Sequence, residues 1–517
     1  MNKSRKRLWT GLILFVAILI SLPILLTVIE NFRGAKEWQR VEKELVAAGI
    51  SLDPKSYLLT IPNNAEQNFG KLPLVASIFD FPQAFEVEDP DERFDEEGNR
   101  RYANPDLHER FVRMTLPVTA KSNRDAGLMS NLAQMVDDLA RHEDNILTLP
   151  ESGTPAERLL SAMHAESGDD LAAIDRAARR PFAIAGTEIG EDFLENLSIE
   201  LPFAEDLRLL VQYQRARAIA ALENGDPDQA VAAVRVIVAC GRLAGSHPLL
   251  ITYLVELTFH QIAFSTVWQG IETNSWESAH YLELQEILSG VDDLFERGER
   301  AITFETVCFQ IEGSNYMRDN PEAGWWFEQV ADAGRDERRY YDYAFRLIPD
   351  GTFDFIKSLG CELVLKHAIL PLRQRDPAAL RDEIEFPDGL MKIRSRLIAM
   401  TLPAVTGVTS RTFRFETVRR QTITSCAVER YRLANNGKLP GELSDLVPGY
   451  LPAIPEDPMN PGSPLQYRKT VEGYKIYSFG PDGIDDGGTS VWRTKTPDPK
   501  KGDWVWGIPA EKNPADP

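Results

Sequence analysis

The chain has 517 residues, room for about three domains of roughly 150 residues each. Its 57 basic and 78 acidic side chains leave a net charge of −21, which excludes a general nucleic-acid binder, because such a protein needs a basic face to displace counterions from phosphates. With 43% hydrophobic and 26% charged residues the chain can bury sizeable cores, so wholesale disorder is excluded as well. Cys240, Cys308, Cys361 and Cys426 stand far apart with no CxxC pair, which indicates neither a zinc ribbon nor a disulfide-dense scaffold.

Residues 1–7 are a tail carrying Lys3, Arg5, Lys6 and Arg7, and residues 8–29 follow without a single Asp, Glu, Lys or Arg. As a helix these 22 residues span about 33 Å, against a hydrocarbon core of about 30 Å, and 15 of them are Leu, Ile, Val or Phe. The run is too long for the core of a signal peptide, and Thr27-Val28-Ile29-Glu30-Asn31 offers no small-x-small cleavage pattern. The expectation is an uncleaved single-pass anchor in the inner (cytoplasmic) membrane. The tail holds +4 and everything else −25, and the basic charges packed ahead of the span keep the tail cytoplasmic and the bulk of the chain extracytoplasmic.

Residues 30–105 read as a helical stalk ending at Gly49, then an irregular segment rich in proline and asparagine. Its acidic stretch Asp89-Pro-Asp91-Glu-Arg-Phe-Asp95 lacks the central Gly and terminal Glu of a calcium-binding helix-loop-helix, so it reads as a solvated loop. Residues 106–410 read as an α-helical domain, most clearly from Leu207 to Ile271, where Leu210, Tyr213, Ala216 and Ala220 share one face. The first helix there stops at Gly225, Asp226 is placed to cap the next with Pro227 at its first position and Gln229 as a capping-box partner, and Pro248 opens a third. The run AIAALENGDPDQAVAAVRVIVACGRLA thus resembles a tetratricopeptide-type helical hairpin, without a second copy at the 34-residue period.

Candidate chemistry in this domain is sparse. Glu256 and His260 lie one turn apart on one helix face, but no second acid-histidine pair accompanies them, as a di-iron bundle requires. Trp325, Trp326, Phe327, Tyr340, Tyr341, Tyr343 and Phe345 are candidates to line a sugar- or peptide-binding groove, or to pack as core. Neither a Gly-x-Ser-x-Gly nucleophile elbow nor a phosphate-cradling Gly-x-x-x-x-Gly-Lys loop occurs. The apolar run 397–408 is too short for a second crossing.

Residues 411–490 carry the most specific pattern. A helix from Phe415 to Asn435 ends at Asn436-Gly437, a proline-punctuated loop follows, and strand-like runs at 465–469 and 474–479 flank a Glu472-Gly473 turn. The stretch closes on GPDGIDDGG, in which Asp482, Asp485 and Asp486 lie among Gly480, Gly483, Gly487 and Gly488, a composition that can converge the hard oxygens Ca²⁺ requires. The run ERYRLANNGKLP, the YLPAIPEDP turn, PLQYR and YKIYSFGPDG together resemble the C-terminal half of the major pseudopilin of type II secretion systems. That resemblance implies a helix packed on a small antiparallel sheet and a calcium loop with Asp482 as a side-chain ligand and Asp485 or Asp486 as additions. The family's later loop aspartate has no evident counterpart after Gly488, and the N-terminus lacks the prepilin pattern. The whole also resembles large uncharacterised membrane-anchored proteins of bacteria. Residues 491–517 read as a C-terminal tail.

These readings point to a mainly α, non-enzymatic interaction or scaffold protein of the periplasm. Its α+β end is stabilised by Ca²⁺, and its partner is a protein of the cell envelope. The alternatives are an envelope hydrolase or glycan-binding protein using Glu256, His260, Trp325 and Trp326, and an accessory component of a secretion or pilus system.

Overall fold

The computed structural model describes residues 3–62, 64–80, 94, 100–116, 129–143, 145–186, 189–320, 348–381, 384, 396–471, 473–493 and 496–507. Helix α1 (Lys3–Ala47) runs unbroken through Pro23, and Thr27 Oγ1 donates to the Pro23 carbonyl at 3.0 Å. Its most apolar window has a mean hydropathy of 3.1 and is wholly exposed, so the chain opens with a helix long and apolar enough to cross a membrane.

The short helices α2 (Pro73–Ala76), α3 (Pro105–Val112) and α4 (Leu132–Arg141) lead into α5 (Pro155–Ala177) and α6 (Phe193–Leu197). Then come α7 (Pro202–Glu223), α8 (Pro227–Ala244) and α9 (Leu250–Glu272), which pack on one another. The turn expected at Gly225 is present at φ +71°, and Asp226 caps α8 by accepting from the Gln229 amide at 3.1 Å. The expected reciprocal half of the capping box does not form: the Gln229 side-chain oxygen is buried without a hydrogen-bond partner. Helix α9 is also apolar enough to cross a membrane, but 67% of its apolar window is buried inside the body, so it is a core helix.

Helices α10 (Ser278–Ser289), α11 (Leu294–Glu305) and α12 (Glu312–Asp319) follow, then α13 (Asp350–Val364), α14 (Leu370–Gln374) and the 39-residue α15 (Arg396–Ala434). The residues expected to form a stalk continue α1 as a helix and lie against the body. The far half of α1 lies along α13 with Val41 and Leu45 buried, because Gly34 and Gly351 let the two backbones touch: a Cβ on Gly34 would stand 2.2 Å from the Gly351 carbonyl oxygen.

Helix α15 begins well before the expected Phe415, since Leu402, Val408 and Phe413 are buried against the body. Its last turns carry a small sheet of order β1-β2-β5. Strands β1 (Gln466–Lys469) and β2 (Tyr474–Ser478) pair antiparallel, Gln466 opposite Tyr477 and Lys469 opposite Tyr474. Residues beyond 490, expected as a tail, form the ribbon of β3 (Ser490–Arg493) and β4 (Thr496–Gly502), and β5 (Trp504–Val505) joins the free edge of β2. Ala427 and Val428 of α15 share a core with Leu443, Leu446, Leu451, Leu465 and Ile476, while Gln421 Nε2 donates to the Trp504 carbonyl at 2.6 Å.

Glu416 fastens α15 between the body and the sheet module. Burial would raise its carboxyl pKa, but a bidentate pair with Arg419 and a contact from Arg420 Nε, all at 2.7–2.8 Å, hold it below the usual range. Arg419 reaches the Leu288 carbonyl and Arg420 that of Glu456. A depressed folded-state pKa adds stability above the unfolded value and loses it as pH falls through the folded one. Glu416→Gln is therefore expected to destabilise the protein by about 2 kcal/mol at neutral pH. In urea titrations run at a series of pH values, the gap to wild type should close as pH drops below about 4.

Candidate functional site

The glycine-aspartate loop follows β2. Gly480, Gly483, Gly487 and Gly488 all have φ between +67° and +77°, and at Gly480 a Cβ would stand 2.1 Å from the Gly502 carbonyl oxygen, so the turn needs glycine there. The aspartates bind backbone amides. Asp482 accepts from Ile484 N at 3.2 Å and, through its other oxygen, from Gly502 N at 3.0 Å, tying the loop to β4. Asp485 accepts from Gly487 N at 2.8 Å and from the Tyr477 hydroxyl at 3.3 Å, and Asp486 is exposed.

A fourth carboxylate, absent from the sequence reading, closes the loop from the supposed tail. Asp503 is 1% exposed; one oxygen accepts from Gly488 N at 2.7 Å and Thr489 N at 3.3 Å, and the other is buried without a donor. Burial pushes its carboxyl pKa up against these amide contacts, and Asp485 adds to the rise. The signal for it was the run Lys501-Gly502-Asp503-Trp504, a turn glycine before an aspartate and an aromatic strand.

Cations of the chain meet the loop's carbonyls: Arg468 reaches that of Gly487 at 3.1 Å, Lys475 that of Gly488 at 3.2 Å and Arg381 that of Pro481 at 2.8 Å. Among the described residues no group of three His, Cys, Asp or Glu side chains is arranged to hold a metal ion. The second Asp503 oxygen makes no hydrogen bond of its own, and its burial favours the neutral carboxyl.

Glu256 and His260 do not line a groove. Both are 0% exposed, and none of their four polar side-chain atoms has a hydrogen-bond partner; the nearest approach between them is 3.5 Å. The room for them is cut into α8. Gly241 and Gly245 are four residues apart, as Glu256 and His260 are, and a Cβ on Gly245 would lie 1.7 Å from Glu256 Oε2 while one on Gly241 would lie 2.8 Å from His260 Cε1. Arg297 and Arg300 of α11 supply the charge Glu256 faces. Arg297 is locked to Asp292, and Arg300 donates to the carbonyls of Gly245, Ser246 and Tyr57. Burial and then Arg297 push the Arg300 pKa down to about 10, against the pull of Glu256 and Asp292.

Open recesses among the described residues include two of note. One, of about 540 Å³, lies where α9, α15 and the β1–β2 turn meet, lined by Trp268, Glu272, Asn274, Glu429, Arg432 and Trp506. The other, of about 670 Å³, includes Lys71, Phe79, Asn104, Phe203 and His247. Trp325 and Trp326, with the rest of their aromatic cluster, lie outside the described residues. Comparison with family models, with curated proteins and with solved structures found no match to the chain.

The buried pair acts on stability. Removing one partner of a buried charge set costs about 3–5 kcal/mol because the remaining charge is left uncompensated. In urea titrations Glu256→Ala should lower the unfolding free energy by an amount in that range, with a correspondingly lower midpoint, and Gly245→Ala should destabilise too, since the added methyl displaces the carboxylate. A Glu256→Ala protein of unchanged stability would mean that the pair is not part of the structural core.

Proposed function

We propose that this chain is a non-enzymatic, membrane-anchored interaction protein. On this reading its helical body, built around a tetratricopeptide-type hairpin of α7 and α8, and its pseudopilin-like end stand outside the cytoplasm and contact a protein partner of the envelope. The observation that carries the reading is the complete burial of Glu256 and His260. A hydrolase centred on them would have to bring substrate to atoms sealed beneath α8 and α11. What faces solvent instead is a pair of open recesses, one of them at the junction of body and module, where binding sites tend to occur.

The C-terminal module is proposed to be stabilised by Ca²⁺ through Asp482, Asp485 and Asp503, with Asp486 at the rim. The support for this is the donor-less oxygen of Asp503 and the glycine-built turn. Arg468 and Lys475 are the competing cations, so binding would require them to release the Gly487 and Gly488 carbonyls. Calcium at about 100 times its dissociation constant should stabilise the fold by roughly 2.7 kcal/mol in thermal melts. Asp503→Ala should abolish that gain, and magnesium should not reproduce it. An unchanged melt in calcium would leave Arg468, Lys475 and Arg381 as the loop's cations among the described residues and remove the metal from the proposal.

Topology is checked separately. All four native cysteines are buried, with the Cys361 thiol pushed up to about 12 by burial, so an introduced Ile484→Cys is the only readily labelled thiol among the described residues. In spheroplasts a membrane-impermeant maleimide should label it before lysis; protection until lysis would place the bulk of the chain in the cytoplasm.

A further inference from the structure

We propose that the end of the body formed by the start of α13 and the end of α12 rests on the headgroup surface of the bilayer that α1 crosses. This inference depends on α1 being a membrane-spanning helix, and it adds where the body sits. The two helices run side by side in the same direction. Asn31 Oδ1 accepts from Gly351 N at 3.0 Å, Arg33 lies over the Phe355 ring at 5.9 Å, Lys357 lies over the Trp38 ring at 4.1 Å, and Arg40 donates to Glu362 at 2.8 Å. Helix α13 therefore starts level with Glu30 and Asn31, the first residues past the apolar run that ends at Ile29.

Helix α12 descends to the same level. Asn315 accepts from Lys357 at 2.7 Å and Arg318 donates to Asp354 at 3.4 Å, so its last residue, Asp319, lies beside the first turns of α13. Only the five residues from Glu30 to Gly34, about 8 Å of helix, separate the span from the Gly34–Gly351 contact. The headgroup layer is itself about 5–8 Å deep. At that contact a Cβ on Gly351 would lie 2.2 Å from the Glu30 carbonyl oxygen, and backbones this close leave no hinge between anchor and body.

Depth is set by two rings. Trp9 and Phe32 are 60% and 71% exposed and stand 23 residues apart, about 35 Å along the helix, so they bracket a hydrocarbon core of about 30 Å, with the amphipathic Trp9 ring at one face. Among the described residues the charges at this end are mixed, with Arg33, Lys36 and Arg318 beside Glu30, Asp319 and Asp350, which suits zwitterionic headgroups. The glycine-aspartate loop is tied to the segment that follows α14, and α14 contacts the other end of α1. Arg373 meets the Ala48 carbonyl and Arg381 that of Pro481, and Ala48 is about 27 Å along α1 from Glu30.

The full chain in phosphatidylcholine vesicles tests this, with a fluorophore on Leu19→Cys, Asp319→Cys or Ile484→Cys; the buried native thiols do not compete. Nitroxides on the acyl chains should quench the Leu19 label, and headgroup nitroxides should quench the Asp319 label severalfold more than the Ile484 label. Equal quenching at Asp319 and Ile484, with the Leu19 label quenched, overturns the inference while leaving the membrane reading intact. An unquenched Leu19 label defeats the membrane reading itself. Gly351→Leu should then reduce quenching at Asp319 without changing it at Leu19, and unchanged quenching at Asp319 would show that the glycine contact does not hold the body down.

Discussion

The body is joined to its apolar helix by one helix contact, the backbone-to-backbone meeting of α1 and α13 at Gly34 and Gly351. Close packing of two helices normally leaves 8–10 Å between axes because side chains intervene. Glycine on both sides removes them, and the contacts on either side of the crossing then become available: the Asn31 amide acceptor, the Lys357 ammonium over Trp38 and the Arg40–Glu362 pair. The outcome is a body continuous with its apolar helix. A helix that looks like a stalk in sequence becomes a structural strut once its partner, more than three hundred residues away, is in place.

The interior follows a related logic. Helix α9 carries Glu256 and His260 into a core where no water reaches them, and such groups persist only when other charges and dipoles surround them. Gly241 and Gly245 open the space, Arg297 and Arg300 supply positive charge, and Asp292 balances Arg297 in turn. A polar set of this kind specifies which face of α9 meets α8 and α11, since any other register would strand the same charges among leucines and phenylalanines. The glycine-aspartate loop is built the other way round, at the surface. Its carboxylates hold amides, its carbonyls meet Arg468, Lys475 and Arg381, and one oxygen of Asp503 is buried without a hydrogen bond.

Local chemistry made a good part of the fold readable in advance. The apolar run of α1, the Gly225–Asp226 break, the β1–β2 hairpin and the helix ending at Asn436-Gly437 all depend on residues within a turn or two of one another, and all are present. The misses are equally particular. β5 is two residues long and exists because β2 offers it an edge, so no periodicity announces it. Asp503 reaches the loop across 15 positions. The reciprocal half of the capping box failed even though its spacing was right: the Asp226 amide donates to the Ala221 carbonyl at 2.9 Å, and the Gln229 side-chain oxygen has no partner.

The sequence by itself determined the exposed apolar helix at the start, the α7–α8 break and the β1–β2 hairpin after the long helix, because helix periodicity, caps and turn glycines act over a few residues. Only the tertiary structure decided which groups meet. It sealed Glu256 and His260 in the core, gave the acidic loop Asp503, and turned the supposed stalk into a docked helix. Each of these rests on residues far apart in the chain, and a spacing pattern carries no information about distances that folding alone creates.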